Sequence, residues 1–403
     1  MLKDEILQGL ITKNDRKIVL LVADGLGGLP RDLDGKTELE MAAKPNLDSL
    51  AAKSICGMTT PISPGITPGS GPAHLALFGY DPLRYQIGRG VLEALGIGLT
   101  MTPQDVACRA NFATMDGDGV ITDRRAGRIS TERNVELCAK LQEAIPKIDD
   151  VEVIVRNGKE HRFVVVFRGQ SLSGNLADTD PQKEGLKPVM PAALFDDDAK
   201  LAKTVTAFYE KAVQVLKDQA PANSVLLRGF AKQPEIPSVA ERFGIRAAAI
   251  AAYPMYKGLA KLVGMTELDC GQTMEEEFEA LRLYYNDFDF FYLHIKKCDS
   301  YGEDGNFNAK VQVISEMDGC LPMVTKLNPD VIVITADHST PAKLKGHSWH
   351  PNPFLLYSPY ALADGVHEFT ERSCGHGGLG VFPAVEAMTL MLAHALKLAK
   401  FGA

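Results

Sequence analysis

Short apolar runs alternate with longer amphipathic stretches along most of this chain. The runs are largely hydrophobic, which is typical of strands buried on both faces of an α/β sheet: Lys17–Asp24, Val225–Arg228, Arg246–Ala252, Asp289–Ile295, Val331–Thr335 and Phe354–Tyr357. Helices are predicted over Lys44–Ser54, Thr131–Ala144, Thr204–Lys217, Met274–Tyr285, Asn308–Leu327 and Val385–Ala399. This alternation predicts a doubly wound, mostly parallel sheet.

One segment departs from the alternation. Val151–Gly169 contains two strand-like runs, VEVIVRN and HRFVVVFRG, on either side of Asn157–Gly158, which favours a β-hairpin. A hairpin belongs to an antiparallel sheet, and 403 residues are enough for two domains. We therefore expect a core domain of residues 1–87 and 256–403, with a smaller α+β domain, residues 88–255, inserted into it.

Composition and charge narrow the class of partner. The net charge of −8 argues against a general affinity for nucleic acid or for anionic membranes, but it allows a small anionic substrate. The seven cysteines form no C-x-x-C pair, so neither a disulfide framework nor a structural zinc site is indicated. The N-terminal segment has no signal-peptide pattern and no apolar run is long enough to span a bilayer, so we expect a cytoplasmic protein.

Acidic groups follow three of the predicted strands. KIVLLVAD ends on Asp24, FDFFYLHIKKCD leads to Asp299, and VIVITADH ends on Asp337 and His338. Any one aspartate of this kind is commonly a helix cap or a turn former. Because the carboxyl ends of parallel strands meet in one crevice, three together indicate a divalent-metal site.

Two further segments carry candidate chemistry for the same crevice. GITPGSGPAHLALFGYDP places Ser70 in a glycine-proline loop before a predicted helix over His74–Phe78. A serine there is either a helix cap or, with a metal to activate it, a nucleophile for phosphate. The second segment, DHSTPAKLKGHSWHP, adds His347 and His350, and five of the nine histidines lie between His338 and His376.

The predicted insert carries a cluster of cations. Arg162 and Arg168 on the hairpin are expected at the solvated surface. The closely spaced arginines of DRRAGR are suited to bidentate capture of a carboxylate or phosphate. Lys257 follows a strand beside a glycine and is either a surface lysine or a phosphate contact. The full set is Arg109, Arg124, Arg125, Arg128, Arg162, Arg168, Arg228 and, outside the arginines, Lys257.

Taken together, the motifs resemble the archaeal-type, cofactor-independent phosphoglycerate mutases of the alkaline phosphatase superfamily. The resemblance runs along nearly the whole chain and in the same order: VADGLGG, GITPGSGPAHLALFGYDP, RRAGR, AAYPMYKGLAKLVGM, KKCDSYGEDG, ITADHSTP and GHSWHPNPFLLY. It implies an isomerase of glycolysis and gluconeogenesis that interconverts 3-phosphoglycerate and 2-phosphoglycerate through a phosphoserine, without 2,3-bisphosphoglycerate. Two divalent metal ions are implied as cofactors.

The resemblance also implies roles for individual residues. Ser70 matches the family's nucleophile, and one metal site matches Asp24, Ser70, Asp337 and His338. The second site matches Asp299 and His347, but its third ligand, a histidine in the broader family, is Glu303 here. The oxygen-rich set favours Mn²⁺ or Mg²⁺ over zinc. We expect Gly302 to turn the chain so that Glu303 reaches the site, and Asp304 is the competing ligand.

Substrate contacts are implied for the insert and for one lysine of the core. Arg125, Arg128 and Arg228 would bind the substrate together with Lys257, which would also act at the reacting centre. Asp123, beside the arginines, is a candidate acid or base for the glycerate hydroxyls. The alternatives are a metal-dependent phosphomonoester hydrolase, a phosphopentomutase on the same core, or an inactive binding protein that keeps the fold.

Overall fold

The structure is a computed structural model that describes residues 4–31, 35–193 and 195–402. The described residues form two compact units. Unit 1 comprises those up to Gln86 and from Ile236 onward, and unit 2 is Ile87–Glu235. The expected end of the insert at residue 255 is therefore wrong by about twenty residues, because the strand Ala247–Ala251 pairs within the large sheet of unit 1.

Regular elements occupy most of both units. The strands are β1 (Ile18–Ala23), β2 (Ile55–Thr60), β3 (Asp105–Met115), β4 (Ile121–Asp123), β5 (Lys147–Ile148), β6 (Val151–Asn157), β7 (Arg162–Arg168), β8 (Ser224–Lys232), β9 (Ala247–Ala251), β10 (Thr266–Glu267), β11 (Phe290–Ile295), β12 (Val331–Thr335), β13 (Asn352–Tyr357) and β14 (Gly380–Pro383). The α-helices are α1 (Asp4–Leu10), α2 (Glu38–Met41), α3 (Pro45–Ala51), α4 (Ser70–Leu77), α5 (Arg89–Gly96), α6 (Thr131–Ala144), α7 (Ala199–Leu216), α8 (Val239–Phe243), α9 (Pro254–Leu262), α10 (Met274–Tyr284), α11 (Lys297–Glu303), α12 (Phe307–Thr325), α13 (Glu371–Cys374) and α14 (Ala387–His394). Short 3₁₀ turns cover Ala126–Arg128, Asp196–Asp198 and Ala384–Glu386.

Unit 1 is built on a single eight-stranded sheet. Its strand order is β10-β9-β11-β1-β12-β13-β2-β14, and β13 is the one strand that runs antiparallel to both of its neighbours. Every residue of β1, β11 and β12 is buried, as expected for strands covered by helices on both faces. The sheet confirms the predicted α/β class with a mostly parallel arrangement.

The order of the strands decides where the polar groups meet. β1 lies between β11 and β12 and is parallel to both. Ala23, the last residue of β1, pairs with Ile295 at the end of β11, and Val22 pairs with Thr335 at the end of β12. The loops that follow the three strands therefore leave the sheet side by side.

Unit 2 contains a six-stranded sheet with its own core. The order is β4-β3-β7-β6-β5, and β8 pairs with β3; all of the pairings are antiparallel. β6 and β7 form the hairpin predicted around Asn157–Gly158. Apolar side chains of α6 and α7 pack on this sheet, and Phe112 stacks on Phe163 with ring centroids 4.4 Å apart.

Two elements of unit 1 differ from the sequence expectation. The helix predicted to start at His74 begins at Ser70, where the extended Gly69 precedes it. The last helix ends at His394 rather than Ala399, since Leu396 has a left-handed φ of 52° and Leu398 bridges to Ile11. Within the described part of the chain, we find no helix whose length and apolar character would let it cross a membrane.

Candidate active site and metal centre

The loops after β1, β11 and β12 bring the predicted ligands of unit 1 together. One group consists of Asp24, Asp337 and His338, and a second of Asp299, His338 and His347. In each group the candidate ligand atoms all lie within 4.8 Å of one another. His338 belongs to both groups, so the two would share one crevice.

Asp24 is fully buried after the end of β1, and its two carboxylate oxygens differ in their contacts. Its Oδ2 lies 3.1 Å from His294 Nε2 and 3.2 Å from Lys296 Nζ, whereas Oδ1 accepts no hydrogen bond from the described residues. Burial opposes ionisation, but the His294 contact and the charge of Lys296 outweigh it and hold the pKa of Asp24 well below its usual value. The carboxylate is therefore charged and has one oxygen free for a ligand.

Asp337 has the same arrangement on the neighbouring loop. The backbone N–H of Gly25 donates to Oδ1 at 3.2 Å, and His74 Nδ1 lies 3.2 Å from Oδ2. Burial and the charge of Asp24 raise the pKa of Asp337, while His338 and His74 lower it more, so the net direction is downward. Two charged carboxylates thus lie close together with little solvent, an arrangement that a divalent cation stabilises.

Ser70 is placed at this group by the start of helix α4. Its Oγ lies 3.1 Å from His338 Nε2. His74, one helical turn later, has Nδ1 2.8 Å from the carbonyl oxygen of Ser70, which fixes the first turn of the helix. The hydroxyl therefore lies beside the candidate metal ligands, at a helix N-terminus, which is an environment that favours phosphate.

The orientation of His338 follows from its second nitrogen. Thr340 Oγ1 lies 2.6 Å from Asp299 Oδ1 and 3.0 Å from His338 Nδ1. Since the hydroxyl has one proton and gives it to the carboxylate, it accepts from Nδ1–H. The tautomer with its lone pair on Nε2 is thereby selected, and that nitrogen is the one that faces Ser70.

The second group is more open than the first. His347 Nε2 lies 3.6 Å from Asp299 Oδ1 and 3.9 Å from Glu303 Oε1, and its Nδ1 is 2.9 Å from the carbonyl oxygen of Pro68. The Glu303 side chain is 56% exposed. The expectation that Gly302 turns the chain is wrong, because Asp299 and Glu303 lie one turn apart on the same helix, α11. Gly302 is required for another reason: a Cβ there would overlap the carbonyl oxygen of Thr340.

These residues fit divalent metal ions. The donors are carboxylate oxygens and imidazole nitrogens, which are ligands for Mn²⁺ and Mg²⁺ among other ions. Two buried carboxylate oxygens, Asp24 Oδ1 and Asp337 Oδ2, have no hydrogen bond among the described residues. A buried, unsatisfied anionic oxygen is costly, and coordination would satisfy both.

Three residues near the ligands were not singled out in the sequence. His74 and His294 are fully buried and contact Asp337 and Asp24, and Lys296 lies 2.5 Å from Asp299 Oδ2 and 3.1 Å from Tyr256 Oη. The Asp24 and Asp299 charges raise the pKa of Lys296 despite its burial. Spacing could have identified His74, four residues after Ser70, and Lys296, three before Asp299. A histidine inside an apolar strand, such as His294, has no comparable pattern.

The arginines of unit 2 line a cavity of about 390 Å³ within that unit. Arg162 is exposed, as expected for a solvated position, and its side chain also lines the cavity. Arg168, in contrast, pairs with Asp105 outside the cavity. The lining is Arg109, Asn111, Arg124, Arg125, Arg128, Glu160, His161, Arg162, Gln182 and Arg228. Six of the lining side chains are guanidinium groups and one is a carboxylate, so the lining is predominantly cationic.

The cavity arginines differ in how they are paired. Asp180 accepts two hydrogen bonds from Arg124, at 2.9 and 2.7 Å, and lies 3.3 Å from Arg228. Among the described residues, Arg125 and Arg128 form no ion pair, so their charges are available to a ligand.

Asp123 has a structural role in the turn that carries these arginines. Its two oxygens accept from the backbone N–H groups of Arg125 and Gly127, at 2.7 and 2.6 Å. The carboxylate therefore shapes the DRRAGR turn, in which Ala126 and Arg128 have left-handed φ values of 46° and 52°.

Lys257 and His350 are not part of the two ligand groups. Lys257 Nζ pairs with Glu267 Oε1 at 3.0 Å in unit 1. His350 Nδ1 lies 3.0 Å from the hydroxyl of Ser348, two residues away.

Known proteins resemble the chain over its full length. A family model described as 2,3-bisphosphoglycerate-independent phosphoglycerate mutase matches residues 51–223. A Thermotoga neapolitana protein named as a probable member is 53% identical over 401 residues, which cover 100% of this chain and 99% of the relative. An Aquifex aeolicus protein of the same name is 51% identical over 407 residues, covering 99% and 100%. The solved cofactor-independent phosphoglycerate mutase of Thermoplasma acidophilum has a TM-score of 0.75 at 33% identity, covering 94% and 100%.

Proposed function

The chain belongs to the family of 2,3-bisphosphoglycerate-independent phosphoglycerate mutases, and we propose that it transfers the phosphoryl group of phosphoglycerate through Ser70. It is an isomerase that interconverts 3-phosphoglycerate and 2-phosphoglycerate. The observation that carries the proposed role of Ser70 is the 3.1 Å contact between its Oγ and His338 Nε2, within the ligand group of Asp24 and Asp337.

Two divalent metal ions, Mn²⁺ or Mg²⁺, are the proposed cofactors. Asp24, Ser70, Asp337 and His338 would hold one, and Asp299, Glu303 and His347 the other. Bound there, the metals would supply charge neutralisation for the phosphoryl oxygens and lower the pKa of the serine hydroxyl.

The residues of unit 1 orient the phosphoryl group. The first backbone N–H groups of α4 favour a phosphate beside Ser70, whose Oγ is oriented towards His338. The ammonium of Lys296 lies between Asp24 and Asp299 and offsets the repulsion of their carboxylates. The bond from phosphorus to the 3-oxygen of the substrate breaks as the bond to Ser70 Oγ forms, and the second step returns the group to the 2-oxygen.

The arginine cavity of unit 2 explains how the intermediate could be retained. Free glycerate is a small monoanion, and a mutase must keep it until the phosphoryl group returns. Arg125 and Arg128 have guanidinium groups without ion-pair partners among the described residues, and with Arg228 they would bind the glycerate carboxylate. A hydrolase has no need of such a site, so the cavity favours the mutase. The substrate is a small phosphorylated anion of central metabolism. We propose that the activity is located in the cytoplasm.

The test is a coupled assay for conversion of 3-phosphoglycerate to 2-phosphoglycerate in the absence of 2,3-bisphosphoglycerate. Full activity is expected with Mn²⁺ or Mg²⁺, loss after chelation with verified metal removal, and recovery when metal is returned. When labelled glycerate is added during turnover, the label should not appear in 2-phosphoglycerate, because the glycerate intermediate stays bound to the enzyme. Release of inorganic phosphate in place of 2-phosphoglycerate would overturn the assignment in favour of a hydrolase.

A further inference from the structure

The side chain of Lys310, on helix α12, reaches the loops of unit 1 that carry the candidate metal ligands. The residue is completely buried. Its Nζ donates to the carbonyl oxygens of Gly25, Gly27 and Thr340, at 2.8, 2.9 and 2.9 Å. The three protons of the ammonium are thus all used by backbone acceptors.

The three carbonyl groups belong to the two loops that supply the first ligand group. Gly25 and Gly27 follow Asp24, and Thr340 follows His338. The loops also contact each other, because the N–H of Thr340 lies 3.2 Å from the Gly25 carbonyl and 3.1 Å from the Gly27 carbonyl. Lys310 therefore joins the loop after β1 to the loop after β12.

Thr340 extends this link to the second ligand group. While its carbonyl accepts from Lys310, its hydroxyl contacts Asp299 Oδ1 and His338 Nδ1. One residue thus connects the ammonium to ligands of both proposed metal sites. A shift of the Thr340 backbone would move the hydroxyl that orients His338.

Burial and neighbouring carboxyl groups act on the charge of Lys310 in opposite directions, and the net shift of its pKa is downward. Burial lowers its pKa, and the nearby Glu38 carboxylate opposes that shift, as does Glu371 more weakly. Glu38 accepts from the N–H of Ala342 at 2.8 Å, and Glu371 accepts from the N–H of Gly28 at 2.8 Å. The two carboxyl groups near Lys310 therefore accept hydrogen bonds from the continuations of the same two loops.

We propose that Lys310 is a positioning residue that fixes the spacing of the metal ligands before a metal binds. The inference rests on the proposed metal centre and adds a residue that touches neither metal nor substrate. A neutral side chain would leave the Thr340 carbonyl without this donor and the Gly25 and Gly27 carbonyls with only the shared Thr340 N–H, which would weaken the link between the two loops. Residues that orient metal ligands typically change metal affinity by about 10- to 100-fold when they are replaced.

The first experiment is a calorimetric Mn²⁺ titration of metal-free, full-length Lys310→Met. We expect its Mn²⁺ affinity to fall by at least about tenfold. At saturating Mn²⁺, the KM for 3-phosphoglycerate should stay within about twofold of wild type, because the substrate contacts are untouched. The matched control is Lys397→Met, which removes another buried ammonium of unit 1, bonded to the Asn14 carbonyl at 2.7 Å. Wild-type Mn²⁺ affinity in Lys310→Met, or an equal loss in Lys397→Met, would overturn the proposal.

A second experiment uses the wild-type protein and is independent of how the variant folds. Amide hydrogen exchange should protect residues 25–28 and 339–342 equally in the metal-free and the Mn²⁺-bound protein, because the loops are already fixed. Protection that develops only on adding Mn²⁺ would overturn the proposal. Neither the Mn²⁺ affinity nor the exchange pattern depends on mutase turnover, so failure of this inference is distinguishable from failure of the proposed function.

Discussion

Ser70 Oγ and His338 Nε2 lie 3.1 Å apart, although 268 positions separate the two residues in the chain. The contact joins the first residue of α4 to the loop after β12. It places the hydroxyl against the nitrogen whose lone pair is left free by the Thr340 contact. The proposed nucleophile therefore lies beside the candidate metal ligands.

Replacing Ser70 by alanine should abolish turnover and leave the fold intact. The hydroxyl is the only bond-forming group proposed, so we expect a loss of at least about 10³-fold in kcat. The free energy of unfolding should change by less than about 1 kcal/mol, since little packing is lost. Mass spectrometry of substrate-treated wild type should find phosphate on Ser70. Ser315→Ala, which removes a hydroxyl from α12, is the matched control, and phosphate on a histidine would contradict the prediction.

Glu303 should act as a ligand of the second metal. Glu303→Ala should weaken binding of one of two Mn²⁺ ions by about 10-fold or more, whereas Asp304→Ala should have a smaller effect. Glu303→His should keep metal binding and shift the preference towards ions that favour imidazole. Stoichiometry and affinity are measured by titration of the metal-free protein. Two wild-type binding events in Glu303→Ala would reject this role.

Loss of a cavity arginine should turn part of the reaction towards hydrolysis. In Arg125→Ala or Arg128→Ala, glycerate would be held less firmly and water could reach the phosphoserine. We expect the ratio of inorganic phosphate released to 2-phosphoglycerate formed to rise by about 10-fold, the effect of losing about 1.4 kcal/mol of binding. Arg133→Ala, which removes an exposed arginine paired with Glu136 on α6, is the control. An unchanged ratio in both cavity variants would assign them to the solvated surface.

His161 should make the stability of the protein depend on pH between about 4 and 6.5. Burial and the adjacent Arg162 lower the pKa of His161 to about 4. An unfolded histidine titrates near pH 6.5, so the unfolded chain binds the extra proton in this window. The free energy of unfolding therefore falls as the pH is lowered through it.

The variant His161→Gln removes that contribution. Between pH 7 and pH 5, wild type should lose about 1 kcal/mol more than the variant in urea unfolding, allowing for solvent screening. His376→Gln, at an exposed position, should follow wild type. Parallel pH dependence of wild type and His161→Gln would show that the imidazole is not held neutral by its surroundings.

Much of the fold of unit 1 could be predicted because its central strands are buried on both faces. β1, β11 and β12 are buried on both faces, so each is a largely apolar run, and an aspartate shortly after the run identifies a candidate ligand. Asp24, Asp299 and Asp337 were found in this way. The sequence of β2, ICGMTT, contains glycine and threonine and therefore does not form a continuous apolar run. Five of its six residues are nevertheless buried.

The boundary of the insert could not be predicted for a different reason. The alanine-rich β9 has the pattern of any buried strand, and its own residues do not specify which sheet it joins. β9 belongs to the sheet of unit 1 because it pairs with β11, and in this pairing Ala248 lies beside Phe291. The small alanine side chains leave room for the aromatic residues of the partner strand. Sheet assignment of this kind depends on residues more than forty positions away.

The position of β1 has a consequence for synthesis on the ribosome. β1 emerges early, yet both of its neighbours, β11 and β12, are made only after the whole of unit 2. Unit 2 is contiguous in sequence and has its own core, so its chain is complete first. Until translation passes Ile295, at the end of β11, the six apolar residues of β1 have no partner strand and resemble a chaperone-binding segment. Neither proposed metal site can be complete in the nascent chain before His338 and His347 have been made.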